Sequence, residues 1–348
     1  MDELEAIRVR VDNVLEEFLR AESAQLIEIS PRLGPLTDQL RFTVAHGKRL
    51  RAAFCYWGWR AAGQPDSDAM IKAAAAMELI HSASVVHDDI IDGSVMRRNS
   101  PCAHVALRDA ISDAEGREAG GIALAMMLGD LLISLSGLLF SGCGLPGSYL
   151  QRARPLWSVL GRELVAGECL EILITGERPD VEEALKIARY KTAKYTVEQP
   201  LHIGATLGGA PPELLGTFSA YGIPLGEAFQ LRDDVLGVFG DPGETGKSNT
   251  DDLRSGRPTA LMSITMSGAE GVDKKELERL LSHRDQLDEA DLRTIRDIMT
   301  RTGARERVES MIRERADRAI AVIGQARLPD AVGSALTRMV PALISRAN

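Results

Sequence analysis

Hydrophobic positions recur at helical spacing along nearly the whole chain, and strand-type alternation bounded by hairpin turns is absent. Residues 1–29 follow the 3.6-residue pattern until Pro31, Gly34 and Pro35 interrupt it. A second helix is predicted over 36–62, ending at Gly63-Gln64-Pro65, and a third over 67–92. The third carries Ala73–Ala76, Leu79, Ile80, Val85 and Val86, apolar on nearly every side, which places it in the interior of a helical protein. A polar segment over 93–121 leads into an apolar helix over 122–140. Further helical patterns cover 150–176, 180–207 and 211–239. A Gly/Asp-rich loop, 240–258, precedes C-terminal helices over 259–267, 273–282, 288–301, 303–326 and 329–346. No repeat is visible and no linker divides the chain, so residues 1–348 are expected to form a single all-α domain.

Composition narrows the function. A chain of 348 residues, 45% hydrophobic and 26% charged, can bury a large core. The net charge of −9 argues against nucleic acid as a partner, which requires a basic face, but leaves room for a small anionic substrate met by local cations. Cys55, Cys102, Cys143 and Cys169 form no CxxC pair, hence neither a zinc site nor a disulfide framework, and suit a reducing cytoplasm. The stretch MDELEAIRVRVDNVLEEF lacks the apolar core of a signal peptide. Residues 131–151 are uncharged over a length that could span a bilayer. Ser134, Ser136, Gly137, Gly142, Gly144, Pro146 and Gly147 within it favour a buried helix running into a loop, so no membrane span is expected.

The chemistry is concentrated in residues 81–98, HSASVVHDDIIDGSVMRR. Asp88 and Asp92 stand four residues apart at the end of the apolar third helix, on one face and about 6 Å apart along the axis. Two such carboxylates repel unless a cation sits between them. With Arg97 and Arg98 just beyond, the pattern reads as a metal site that receives a polyanion, and Mg²⁺ fits, because it takes one or two carboxylates and completes its shell with phosphate oxygens and water. A second acidic helix end, Asp233-Asp234, follows Gln230 and precedes a Gly-rich loop with Lys247. Carboxylates on facing helices are how bundles build multi-metal sites. Either cluster alone is equally well read as an exposed helix end; together, each with nearby cations, they favour a site across a central cavity. Lys48 and Arg51 share a helix face, but taken alone they, like Lys191-Thr192, could be a solvated basic turn. His81 lies two turns before Asp88 on its face; by itself it would be read as a core histidine, as would His87.

Together the segments GKRLR (47–51), HSASVVHDDIIDGSVMRRNSP (81–101), YKTAKYT (190–196) and FQLRDDVLGVFGDPGETGK (229–247) resemble the polyprenyl synthetase family of trans-prenyltransferases, in its order and spacing. The resemblance implies the isoprenoid synthase type I fold, a helical bundle around a central cavity. It also implies condensation of isopentenyl diphosphate with an allylic diphosphate, releasing pyrophosphate. By this similarity Asp88, Asp92 and Asp233 hold three Mg²⁺ ions against the allylic diphosphate, supported by Asp89 and Asp234. Arg97, Lys191 and Lys247 would bind that diphosphate, with Thr192 and Gln230 lining its site and Arg257 adding charge near the end of the loop. Lys48, Arg51, His81 and Arg98 would hold isopentenyl diphosphate. A homodimer formed through the apolar residues 122–140 is also implied. Ionisation of the allylic C–O bond needs cations at the departing oxygens and an oriented nucleophilic double bond, and no protein nucleophile.

The chain departs from the family pattern at several positions. Gly237 stands where the second motif has its third aspartate, and Asp241, next to Pro242, is a poor substitute. His46 and Asn99 replace glycines, and Arg257 a lysine, keeping its charge but not its shape. Product length should be set by a steric wall, because a methylene is worth only about 1–3 kcal/mol in discrimination. Ala83 and Ser84, five and four residues before Asp88, leave room where bulky aromatics stop growth at fifteen carbons in the family. Ile80 and Met77 lie a turn or more deeper, with Leu131, Leu132 and Leu135 as candidates from a neighbouring helix, so a twenty-carbon product, geranylgeranyl diphosphate, is expected. Three rivals are weaker. A class I terpene cyclase has a different second metal motif and no use for GKRLR. An HD-type phosphohydrolase needs more histidine ligands than the six here provide. A non-catalytic synthase subunit would not be expected to keep Asp88 and Asp92.

Overall fold

The computed structural model describes residues 3–177, 180–241 and 249–345. The fold is all-α. Its helices are α1 (Glu3–Ile29), α2 (Gly34–Val44), α3 (Leu50–Ala61), α4 (Asp68–Ile91), α5 (Ala103–Ala106), α6 (Arg117–Ser141), α7 (Gly147–Ile174) and α8 (Val181–Ile187). A π-helical segment, Ala188–Glu198, leads into α9 (Gln199–Leu207) and α10 (Pro212–Phe239). The chain continues with α11 (Asp251–Ser255), α12 (Ala260–Gly268), α13 (Gly271–Ser282), α14 (Glu289–Arg301), α15 (Ala304–Gln325) and α16 (Asp330–Ile344). Among the described residues the only ladder is a two-residue antiparallel pair, β1 (Met96–Arg97) with β2 (Ser100–Pro101).

Packing divides the chain into two compact units, residues 1–154 with 203–210, and residues 155–202 with 211–348. In the first unit α4 packs chiefly on α6, with α3 and α1 also against it. Its start is fixed by Ser67, whose side chain accepts from the Met70 N–H. Met70, Ile71, Ala73–Ala76, Met77 and Leu79 are buried, as the all-round apolar pattern requires. By length and composition both α4 and α6 could cross a membrane. Of the apolar window, 72% is buried in α4, which marks it as a core helix, but only 39% in α6. Met126, Met127, Ile133 and Leu138 of α6 are exposed.

In the second unit α10 packs on the π segment and on α15. Ala228, Leu231, Val235 and Val238 of α10 join Leu261, Ile295, Ile298, Val308 and Ile312 in one buried cluster. Beside it the buried Glu227 accepts from Arg189 at 2.8 Å and Arg315 at 2.9 Å, tying three elements together.

Two helices predicted as continuous are interrupted. The pattern over 36–62 breaks at 45–49, between α2 and α3, where Arg49 takes φ 51°. The buried Arg49 guanidinium donates to Asp12 at 2.7 Å and to the Val44 carbonyl at 2.6 Å, and the break is what turns it inward. Glu78 of α4 accepts the Ala52 N–H at 3.0 Å, satisfying a donor that the new helix start would leave unpaired. The pattern over 180–207 is broken by the π segment.

Candidate active site

In the first unit Asp88 and Asp92 occupy the last turn of α4, and the Asp92 N–H donates to the Asp88 carbonyl at 2.8 Å. A tight hairpin follows, with Arg98 (φ 52°) and Asn99 (φ 59°) as its two central residues. Two left-handed residues in a two-residue loop make the turn whose twist suits a hairpin, and asparagine tolerates that backbone better than most residues. Asn99 therefore serves where the family has glycine. The hairpin returns Arg97 onto the acidic helix end: Nη2 lies 2.6 Å from Asp89 Oδ1 and 3.5 Å from Asp88 Oδ2. Asp89 is buried and held by Arg97, whereas Asp88 and Asp92 remain partly open.

Arg98 Nη1 donates to the His46 carbonyl at 2.7 Å, joining the hairpin to the turn that carries Lys48. Arg49, the middle residue of GKRLR, is structural; Lys48 is exposed and Arg51 partly so. Burial, together with Arg51, Arg98, Arg97 and Arg49, holds the His81 imidazole well below its ordinary pKa, so it is neutral at pH 7. Three of the four residues assigned to isopentenyl diphosphate, Arg51, His81 and Arg98, thus share one electropositive region suited to an anion. As pH falls through about 6.5, the unfolded chain takes up a proton that native His81 refuses, so stability present above that pH is lost below it. Urea unfolding of wild type and His81→Gln from about pH 8 to pH 5 should show the variant losing less stability on acidification; parallel profiles would contradict a neutral His81.

The residues placed before Asp88 do not share one face. At 100° per residue Met77, His81 and Ser84 fall within about 40° of Asp88, with Ile80 to one side. Ala83 is buried and lies on the face of His87, whose Nε2 is 3.3 Å from the Met126 carbonyl of α6. A Cβ at Gly129 of α6 would meet the His87 ring at 2.1 Å, so only glycine admits the imidazole there. Ala83 thus points toward α6, and Leu132 and Leu135 of α6 are buried.

In the second unit Thr192 Oγ1 donates to Gln230 Oε1 at 2.6 Å, and Gln230 Nε2 to Asp234 Oδ1 at 2.9 Å. Lys191 Nζ lies 2.9 Å from Glu168 and 3.1 Å from Glu171 of α7. That approach depends on Gly167, where a Cβ would stand 2.4 Å from the Lys191 nitrogen. Arg257 reaches Glu171 at 3.2 Å and Asp252 at 3.3 Å. Burial, then Asp252, Asp233 and Glu171, push the Asp234 carboxyl up to about 8. Glu168, Glu171 and Asp252 had no local signal marking them, because their partners come from other helices. Lys247 lies outside the described residues.

Among the described residues no three acidic, histidine or cysteine side chains converge as a metal cage. A Mg²⁺ site does not need one: it uses one or two carboxylates and draws the rest of its shell from phosphate and water. Asp88 with Asp92 in the first unit, and the excess negative charge around Asp234 in the second, fit such an ion.

Comparison with known proteins agrees. The polyprenyl synthetase family profile matches residues 35–299. A (2E,6E)-farnesyl diphosphate synthase of Mycobacterium bovis is 29% identical over 304 residues, covering 86% of this chain and 80% of its own. A geranylfarnesyl diphosphate synthase of Aeropyrum pernix is 29% identical over 306 residues, covering 86% and 90%. The crystal structure of a geranylgeranyl pyrophosphate synthase from Corynebacterium glutamicum, complexed with isoprenyl diphosphate and magnesium, superimposes with a TM-score of 0.92 at 30% identity, over 99% of this chain and 100% of its own. These relatives are named for products of different length, and all are prenyl diphosphate synthases. With three-quarters of its length matched and its fold shared throughout, the chain belongs to the polyprenyl synthetase family and is a prenyltransferase.

Proposed function

We propose that this enzyme condenses isopentenyl diphosphate with allylic diphosphates by ionisation, condensation and elimination, in a Mg²⁺-dependent reaction whose main product is geranylgeranyl diphosphate. The carrying observation is that acidic groups and cations stand together in both units: Arg97 at Asp88 and Asp89 in the first, and in the second Arg257 at Asp252 and Glu171, two carboxylates that act on Asp234.

Asp88 and Asp92, and in the second unit Asp233, hold magnesium, with Asp89 and Asp234 supporting them. Bound magnesium would neutralise charge growing on the departing diphosphate. Arg97, Lys191, Lys247 and Arg257 bind the allylic diphosphate, and the Thr192–Gln230–Asp234 chain of hydrogen bonds fixes its polar surroundings. Glu168 and Glu171 position Lys191. Lys48, Arg51, His81 and Arg98 hold isopentenyl diphosphate, and a neutral His81 adds a hydrogen-bonding nitrogen without repelling the arginines. Pyrophosphate itself is the expected base for the last proton, so no side chain is assigned that role. The whole chain is read as one synthase domain, acting in the cytoplasm as a homodimer. The exposed Met126, Met127, Ile133 and Leu138 of α6 support a second copy there, because scattered apolar residues are ordinary but four large ones exposed on one helix call for cover.

The twenty-carbon assignment rests on Ser84 and Met77, which share the Asp88 face and present no aromatic ring. Ile80 and Ala83 are the secondary determinants. Mass spectrometry of products from five-, ten- and fifteen-carbon starters tests it; a dominant fifteen-carbon product would overturn it. Ser84→Phe should shift the main product to fifteen carbons, since a ring one turn above Asp88 blocks about one isoprene length. Ala83→Phe should also shorten it, with greater loss of stability because that site is buried; unchanged length in both variants would contradict the assignment.

A further inference from the structure

We propose that Arg284 is a positioning residue for the allylic diphosphate, clamping the ends of α7 and α11 together so that Lys191 and Arg257 keep their spacing. The inference rests on reading those two cations as diphosphate ligands. In the second unit both reach the same oxygen: Glu171 Oε1 lies 3.1 Å from Lys191 Nζ and 3.2 Å from Arg257 Nε. Two cations drawn to one carboxylate repel each other, so the backbones that carry them have to impose their spacing. Glu171 stands in the last turn of α7, and Arg257 follows the end of α11.

Those two ends meet at a pair of glycines. Gly176 (φ 85°) lies just beyond α7, and Gly256 (φ 70°) caps α11, both in the left-handed region that closes helices. The Gly176 N–H donates to the Gly256 carbonyl at 3.3 Å, too long a bond to fix two helix ends alone. Arg284, half-buried, completes the joint. A Cβ at Gly256 would stand 2.9 Å from Arg284 Nη1 and 3.0 Å from its Cζ and Nε, so the face of the guanidinium rests on that glycine. A Cβ at Gly176 would stand 2.9 Å from Nη1 and Nη2, so the outer edge of the same group rests on the other. The base of Arg284 is fixed as well. Its carbonyl accepts the N–H of Leu287, which is buried in the core cluster, and the Leu287 carbonyl accepts from Arg254 of α11 at 3.0 Å. Displacing Gly256 would carry Arg257, the next residue, with it.

The test is steady-state kinetics of the full-length enzyme with Mg²⁺, varying geranyl diphosphate and isopentenyl diphosphate in turn. Wild type, Arg284→Ala and Arg284→Lys are compared, with thermal unfolding to check each fold. Arg284→Ala should raise the KM for geranyl diphosphate about tenfold and leave that for isopentenyl diphosphate, assigned to groups of the first unit, unchanged. A merely structural loss would reduce the amount of active enzyme, and so kcat, without raising one KM and sparing the other. Arg284→Lys keeps the charge and most of the stem but has no planar group, so it should behave like the alanine variant. It also reports if the alanine variant folds poorly. A wild-type KM for geranyl diphosphate in either folded variant, or equal rises for both substrates, overturns the proposal. If wild type itself elongates no allylic diphosphate, the reading of the site fails and the clamp falls with it.

Discussion

Asp88→Ala and Asp233→Ala are each expected to lower turnover by about two to three orders of magnitude while leaving the protein folded. Charge-stabilising groups aimed at a departing anion are typically worth about that much when removed singly. Both carboxylates are partly open to solvent, so neither supports the core. Arg97 keeps Asp89 as its close partner when Asp88 is lost, and no buried charge is stranded. Asp89 differs: it is buried against Arg97, and its removal would leave that guanidinium with its longer, 3.5 Å approach to Asp88, mixing a stability loss with the catalytic one. Steady-state turnover with isopentenyl and geranyl diphosphates, alongside circular dichroism and thermal unfolding, separates the two effects. A near-normal rate in either alanine variant would remove that aspartate from the machinery.

Gly226→Val should cost both stability and activity. A Cβ at Gly226 would stand 2.3 Å from the Ala193 Cα and 2.6 Å from its Cβ, and neither backbone can give way as a flexible side chain would. A Cβ at Gly222, one turn earlier, would stand 3.0 Å from the Glu198 Cα, so α10 meets the π segment along a strip of bare backbone. One turn beyond Gly226, Gln230 accepts from Thr192 at 2.6 Å, and Lys191 is the adjacent residue. Prising the two apart would cost about 1–3 kcal/mol or more and displace the groups assigned to the allylic diphosphate. A lower melting temperature together with a raised KM for that substrate is expected. Gly216→Ala is the control, since an added Cβ there meets nothing within 4 Å, and alanine should stabilise the helix by up to about 1 kcal/mol. Equal melting temperatures for Gly226→Val and wild type would contradict the close approach.

The helical class was legible because apolar residues recur at 3.6 spacing and α4 is apolar all round. The first acidic helix end was legible because Asp88 and Asp92 interact along a single helix, where spacing alone fixes the face. Features made by tertiary contact were not. A lone Gly47 is a weak helix breaker, and the break at 45–49 depends on Arg49 reaching Asp12, far away in sequence. The π segment has no compositional mark; it coincides with the close approaches of Gly167 to Lys191 and Gly226 to Ala193. A Cβ at Gly237 would lie 2.2 Å from Asp252 Oδ2, an approach that spacing along α10 alone does not show. Glu168 and Glu171 are an ordinary acidic pair on α7 until Lys191 is set against them.

The most direct measurement follows pyrophosphate release and prenyl product together, from isopentenyl and geranyl diphosphates, with Mg²⁺ present and after EDTA. One pyrophosphate per added isoprene unit, abolished by the chelator and restored by excess Mg²⁺, is the expected result. Release undiminished in EDTA, or release with no lengthened chain, would contradict metal-assisted condensation at these aspartates.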